Sequence, residues 1–173
     1  RGKIGTPVAT NNLGWVYFVT IVTACCSILY ELLLAQSLST TMGNTALRYN
    51  TTIGLYIAAM GFGALLYKKF VRRDIFEEFI KLELVLSVLG GIAPIMVLVF
   101  DFLFNKAATA TGISFFSNWI QMPLFTLNHL LIIGIGFLSG LELPLLIDMG
   151  KRFDKRKGSF VLAYDYFGTL IGA

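Results

Sequence analysis

The stretch LGWVYFVTIVTACCSILYELLLAQSL, residues 13–38, decides the fold. It is apolar apart from small or weakly polar residues and one carboxylate, Glu31. About 20 such residues are enough for a helix to cross a bilayer. A carboxylate inside hydrocarbon is costly and rare, so it is a functional-site candidate by default. The stretch therefore predicts a transmembrane helix that carries a candidate site residue.

Four further apolar segments follow along the chain. With the first, the predicted spans are residues 13–38, 51–67, 82–104, 124–148 and 160–173. The fifth is shorter than the roughly 17–25 residues of a spanning helix, so we interpret it as truncated and expect a longer parent protein. Residues 71–80 and 105–123 are too polar to span and predict short interfacial helices. The predicted fold class is all-α: one polytopic transmembrane helical bundle over residues 1–173, with four full spans and a truncated fifth.

Composition and charge support a membrane protein. The chain is 56% hydrophobic and 14% charged, whereas soluble domains are about 25% charged. Its net charge of +4 comes from bases beside the spans, without a stripe of interleaved stacking aromatics, so the lipid bilayer and not nucleic acid is the expected partner. The bases that follow spans two and four are Lys68, Lys69, Arg72, Arg73, Lys151, Arg152, Lys155, Arg156 and Lys157. The positive-inside rule places these two loops, and hence the N-terminus, in the cytoplasm.

Polar residues of the outer half form one predicted layer. Span one leaves the cytoplasm, so Glu31 lies in its outer half, and His129 lies in the outer half of span four. Arg48 lies in the outer loop near the same level. The acid, the base and the imidazole are predicted to meet as ion-pair or polar partners. A structural ion pair for Glu31, and a hydrogen bond from His129 to a carbonyl of another helix, are the alternatives.

Acidic residues form the second, cytoplasmic layer. Glu83, Glu142 and Asp165 all lie within roughly 10 Å of the cytoplasmic boundary at 1.5 Å rise per residue. Three carboxylates at one level would make a vestibule that attracts cations. Together with Glu31, they are the candidate binding residues for a cationic substrate. The alternative for Glu83, two residues after Lys81, is an ordinary interfacial charge.

Small residues recur at helix-packing spacing. The pairs are Gly54 and Ala58, Ala59 and Gly63, Gly136 and Gly140, and Gly168 and Gly172. They predict close helix contacts and favour a homodimer, and a glycine-lined ligand path is the alternative. Cys25 and Cys26 are adjacent, which does not predict a disulfide. With one histidine and no paired ligand motif, no metal site is expected, and the chain contains no catalytic or cofactor motif.

Four segments together resemble a known family. They are YELLLAQSLSTTMGNTALRYNTTIGLYIAAMGFGALLYKK (residues 30–69), LELVLSVLGG (82–91), GFLSGLELPLL (136–146) and VLAYDYFGTLIGA (161–173). In this order they resemble the membrane region of integral membrane spermidine synthase-like proteins, which are polyamine aminopropyltransferases. The resemblance implies the N-terminal membrane domain of such a protein, in a bacterial inner membrane. It also implies a Rossmann-like catalytic domain downstream, absent from this sequence, which uses decarboxylated S-adenosylmethionine.

Three hypotheses for function stay open at this point. The first is a membrane domain that anchors an aminopropyltransferase-like enzyme and handles a polyamine or another organic cation. The second is a small transporter or channel for an organic cation. The third is a structural membrane subunit of a larger complex. Whether the chain takes part in an enzyme is not decided by its own residues, since no catalytic residue can be assigned to it.

Overall fold

Five helices make up the part of the chain that the structure describes. The computed structural model describes residues 13–41, 45–70, 74–111, 114–153 and 156–173. The helices are α1 (Leu13–Thr41), α2 (Thr45–Phe70), α3 (Ile75–Thr111), α4 (Ser114–Phe153) and α5 (Lys157–Gly172). Helices α1 to α4 each contain a segment long and apolar enough to cross a membrane. These findings confirm the predicted all-α membrane bundle.

The helices extend beyond the predicted spans. Residues 75–80 form the first turns of α3, and the predicted interfacial segment 105–123 is divided between the end of α3 and the beginning of α4. Hydropathy marks only the length that lies in hydrocarbon, whereas intrahelical hydrogen bonds continue into polar sequence until a break in the helix. The N-terminal residues 1–12 and the bases Arg72, Arg73 and Lys155, on which the topology prediction partly rests, lie outside the described residues.

Helices α1 and α4 form the centre of the bundle. Each of them packs against all four of the other helices, whereas α2, α3 and α5 pack mainly on this pair and little on one another. Large apolar side chains that are fully buried fill the interior. They include Leu34 and Leu38 of α1, Val97 of α3, and Ile132 and Ile135 of α4.

Small residues allow close approach at several of the predicted positions. A Cβ atom at Gly63 of α2 would overlap the carbonyl oxygen of Phe137, and one at Gly140 of α4 would overlap that of Met60. The α2 and α4 backbones therefore touch, as small-xxx-small packing requires. Gly168 and Gly172 of α5 pack on the α1 backbone in the same way. Gly54 is different, because its position opens to free space, and a dimer contact there stays a prediction.

The outer surface of the bundle is strongly apolar. Leu65 is 81% exposed and Leu170 is 74% exposed, which is the surface expected where lipid is the solvent. Charged groups pair at the helix ends instead. Arg152 of α4 lies 3.1 Å from Asp74, which precedes α3, and the Tyr67 hydroxyl of α2 donates to Asp148 of α4 over 2.7 Å.

Candidate functional site: a buried acidic site

Three carboxyl groups from three helices converge in one part of the bundle. Glu83 of α3 and Glu142 of α4 lie within hydrogen-bonding reach of each other. Asp165 of α5 is close enough for its charge to act on Glu142, and the Thr23 hydroxyl of α1 hydrogen-bonds Glu142. We call Thr23, Glu83, Glu142 and Asp165 the acidic site. Four of the five helices contribute to it.

Glu142 is the most deeply buried member of the acidic site. It is 5% exposed, and Ser139 and Leu146 on the same face of α4 are also buried. The spacing of these residues by three and four positions places them on one side of a helix, so the helical repeat turns Glu142 toward the interior.

Glu83 contributes an unsatisfied acceptor to this site. Its Oε1 atom is fully buried and has no hydrogen-bond partner among the described residues. A buried acceptor without a donor costs about 1–3 kcal/mol. The acidic site therefore favours a ligand that brings hydrogen-bond donors.

The sequence predicts Glu83, Glu142 and Asp165 at one level of the membrane, and the structure brings these three together. Glu83 follows the beginning of α3 by eight residues, and Asp165 follows the beginning of α5 by eight, about 12 Å along each helix. Thr23 was not predicted. A signal for it was present in the sequence, because Thr20, Thr23 and Ser27 repeat at helical spacing along the first span. The role of the three acids in binding a cation stays a prediction.

Glu31 lies away from the acidic site. It is 7% exposed and follows Thr23 by eight residues on α1, about 12 Å along the helix axis. Its charge acts on Tyr56 of α2. The structure therefore separates Glu31 from the other three candidate acids, and the two groups form different sites.

Arg48 and His129 line a common cavity of about 60 Å³ at the other end of the bundle. Leu38 of α1 also lines this cavity. Glu31 is not among the described residues that line it, since it precedes Leu38 by seven residues, about 10 Å along α1. Of the three residues predicted to meet in the outer layer, the base and the imidazole share a cavity and the acid does not.

A hydroxyl cluster joins three helices between these two regions. The Tyr56 hydroxyl of α2 donates to Ser139 Oγ of α4 over 2.8 Å and lies 3.2 Å from Ser27 Oγ of α1. We call these three residues the hydroxyl cluster. The hydroxyl cluster was not predicted, because hydropathy does not show which faces of the spans meet.

Apolar side chains fill the bundle between the hydroxyl cluster and the Arg48 cavity. Ile135 lies about one turn from Ser139 toward His129, and Ile132 is one turn further. Both are 0% exposed, and Leu34 of α1 is 1% exposed. We call Leu34, Ile132 and Ile135 the apolar layer. It separates the acidic site and the hydroxyl cluster from the cavity at the other end.

No group of three or more histidine, cysteine, aspartate or glutamate residues in the described part of the chain is placed to hold a metal ion. Cys25 and Cys26 are free thiols.

Comparison with known proteins gives relatives of one kind. A polyamine aminopropyltransferase of Leptospira interrogans is 31% identical over 161 residues, which cover 91% of this chain and 28% of the relative. The chain is homologous to the N-terminal portion of polyamine aminopropyltransferases. The corresponding protein of Oceanobacillus iheyensis is 30% identical over 161 residues, with the same coverage of 91% and 28%. That of Corynebacterium efficiens is 31% identical over 166 residues, again with 91% and 28% coverage.

These matches confirm the family resemblance of the sequence motifs. The chain spans about 28% of the length of these relatives. No family model and no solved structure matches the chain.

Proposed function

We propose that this chain is the membrane domain of a polyamine aminopropyltransferase-like protein. It anchors the enzyme in the bilayer and binds a cationic polyamine, substrate or product, at the acidic site. The observation that carries the proposal is the convergence of the buried Glu142 with the half-buried Glu83 and Asp165 in a chain whose relatives are polyamine aminopropyltransferases. The catalytic residues and the site for decarboxylated S-adenosylmethionine belong, in this proposal, to a domain outside this chain.

The chemistry of the acidic site suits an ammonium group. A hydrogen bond between two carboxyl groups requires a proton on one of them. An ammonium group that entered between Glu83 and Glu142 would take the place of that proton, and it would supply the donor that Glu83 Oε1 lacks. Asp165 adds a further negative charge nearby, which suits a molecule with more than one amine.

The depth of the acidic site supports a link to an enzyme. The site lies about 12 Å from the beginnings of α3 and α5, at the end of the bundle where Arg152 pairs with Asp74. We propose that this end faces the cytoplasm of a bacterial cell. A cytosolic catalytic domain would then meet the acidic site at the same membrane surface.

The proposal is tested by spermidine binding to the full-length protein in detergent, measured by equilibrium dialysis. Glu142→Gln keeps the shape of the side chain. It is expected to lower the spermidine affinity of the acidic site at least tenfold, which corresponds to about 1.4 kcal/mol. Glu77→Gln is the matched control, because Glu77 is an exposed acid near the beginning of α3 that pairs with Lys81. It should change the affinity less than twofold. Spermidine binding that is the same in Glu142→Gln and in the unaltered protein would overturn the proposal.

Transport of an organic cation is the second candidate. It is favoured by Glu31, a second buried acid that lies beyond the acidic site along α1. The apolar layer opposes a continuous path, so transport would require the layer to open. Spermidine uptake into vesicles that Glu31→Gln and Glu142→Gln both abolish would support transport. Spermidine binding without uptake would support a membrane domain that anchors the enzyme and binds the polyamine. Absence of both binding and uptake would favour a structural subunit.

A further inference from the structure

A cleft opens between α2 and α3 on the outside of the bundle, with α4 as its floor. It has a volume of about 190 Å³ and apolar walls, formed by Phe70, Leu82, Val85, Leu138, Leu141 and Leu145. The cleft exists because α2 and α3 each pack on α4 and hardly contact each other. No residue of the acidic site lines the cleft. Neither polyamine binding nor cation transport would use it.

The cleft is charged at one end and apolar at the other. Glu78 and Lys81 line it near the beginning of α3, and Phe70 is the last residue of α2. Val85 lies deeper in the membrane, so the cleft extends about 10 Å along α3 from Glu78 to Val85. A phospholipid has the same gradient, with a charged headgroup at the surface and a hydrocarbon chain below.

Three lysines, Lys68, Lys69 and Lys81, and two glutamates, Glu77 and Glu78, lie at the charged end. Lys68 and Lys69 occupy the last turn of α2 beside Phe70. Lys81 pairs with Glu77 over 2.6 Å, but an ammonium group has three donors, so it can bind a phosphate oxygen as well. A lysine near the membrane surface attracts anionic lipid.

We propose that this cleft is a binding site for one anionic phospholipid. The acyl chain lies against Leu141 and Leu145, and the phosphate lies at Lys81 with Lys68 or Lys69. Glu78 accepts hydrogen bonds from the hydroxyl groups of the headgroup. A helix of another protein, about 10–12 Å in diameter, is wider than a single acyl chain and would match the charged end less well.

Tryptophan reporters test the proposal in the full-length protein, with its other tryptophans replaced by phenylalanine. Val85→Trp places a reporter in the cleft. Val88→Trp is the matched control, since Val88 lies one turn away on the same helix, is 50% exposed against 42% for Val85, and does not line the cleft. The detergent-solubilised protein is titrated with phosphatidylglycerol that carries brominated acyl chains, which quench tryptophan fluorescence on contact.

Saturable quenching at Val85→Trp, and much weaker quenching at Val88→Trp, is the expected result. Lys81→Gln should raise the half-saturating lipid concentration about fivefold, which corresponds to about 1 kcal/mol. Lys151→Gln, a lysine at the same end that does not line the cleft, should leave it unchanged. Equal quenching at both reporters would show ordinary lipid contact and overturn the proposal. Absence of quenching at Val85→Trp would show that another segment covers the cleft and would overturn it too.

Discussion

The acidic site and the Arg48 cavity lie at opposite ends of the same bundle and carry opposite charge. At the acidic site, Glu83 and Glu142 meet with Asp165 nearby. At the cavity, a guanidinium group and an imidazole line the wall. Residues of α4 contribute to both regions, so a single helix presents an acid to one end and a potential base to the other.

This difference bears directly on the choice between binding and transport. A cation path through the bundle would have to leave an acidic region, cross Leu34, Ile132 and Ile135, and pass a guanidinium group. Each of the last two steps is unfavourable for a cation. A site that fills and empties from the acidic end needs neither step. The contrast between the two ends therefore favours a binding site with one entrance.

The largest expected effect comes from a breach in the apolar layer between the two regions. Ile135→Ala should lower the free energy of unfolding by about 2 kcal/mol, which is the lower end of the range for Ile→Ala. The lower end applies because separated helices are still surrounded by apolar lipid, so the cavity left by the truncation is the main cost. Ile133→Ala is the control on the same helix, since Ile133 is 38% exposed. Unfolding in mixed micelles measures both, and equal losses would mean that the layer is not tightly packed.

The next effect separates the two groups of buried acids. Glu31→Gln should change spermidine affinity less than twofold, whereas Glu142→Gln should lower it at least tenfold, because the structure places Glu31 about 12 Å from Thr23 along α1. Calorimetric titration of both variants makes the comparison. A similar loss in both would mean that the ligand extends past the hydroxyl cluster.

A smaller effect concerns the hydroxyl cluster, which holds α1, α2 and α4 together. Tyr56→Phe removes the hydrogen bond to Ser139 and should cost about 1 kcal/mol of unfolding free energy. Tyr166→Phe should change stability by less than about 0.5 kcal/mol, because Tyr166 is 67% exposed. Thermal unfolding in detergent distinguishes the two. No loss in Tyr56→Phe would mean that the remaining serines rearrange to bond each other.

The smallest effect is expected from the far cavity. If the two ends are independent, Arg48→Glu should leave spermidine affinity at the acidic site within twofold, even though it reverses the charge of the cavity. Equilibrium dialysis with the double variant Arg48→Glu/Glu142→Gln serves as the control, and it should bind as weakly as Glu142→Gln alone. A tighter double variant would show that the cavity can take over cation binding.

Hydropathy and charge were enough to predict much of this arrangement. Long apolar runs gave the spans, because only a helix satisfies its backbone within lipid. Once the spans alternate in direction, Glu83, Glu142 and Asp165 have to lie at similar depth. Depth alone brought these acids to one level, and the structure shows that they also share a side of the bundle.

The remaining features depend on which helix faces meet. Glu31 does not join Arg48 and His129 for a different reason, since it lies about 10 Å from the level of their cavity along α1. The hydroxyl cluster depends on contact of Tyr56 with α1 and α4 at once, and the cleft depends on α2 and α3 standing apart. A single sequence determines the depth of a residue in a span, but the rotation of each helix follows from packing against its neighbours.

The glycine contacts between α2 and α4 limit how the acidic site can open. Since the backbones touch at Gly63 and Gly140, these two helices form one rigid wall, and Glu142 is fixed on it. Helix α3 packs on α1 and α4 but has few contacts with α2, so it is attached to that wall on one side only. Glu83 on α3 is thus expected to move when the acidic site opens, whereas Glu142 stays in place.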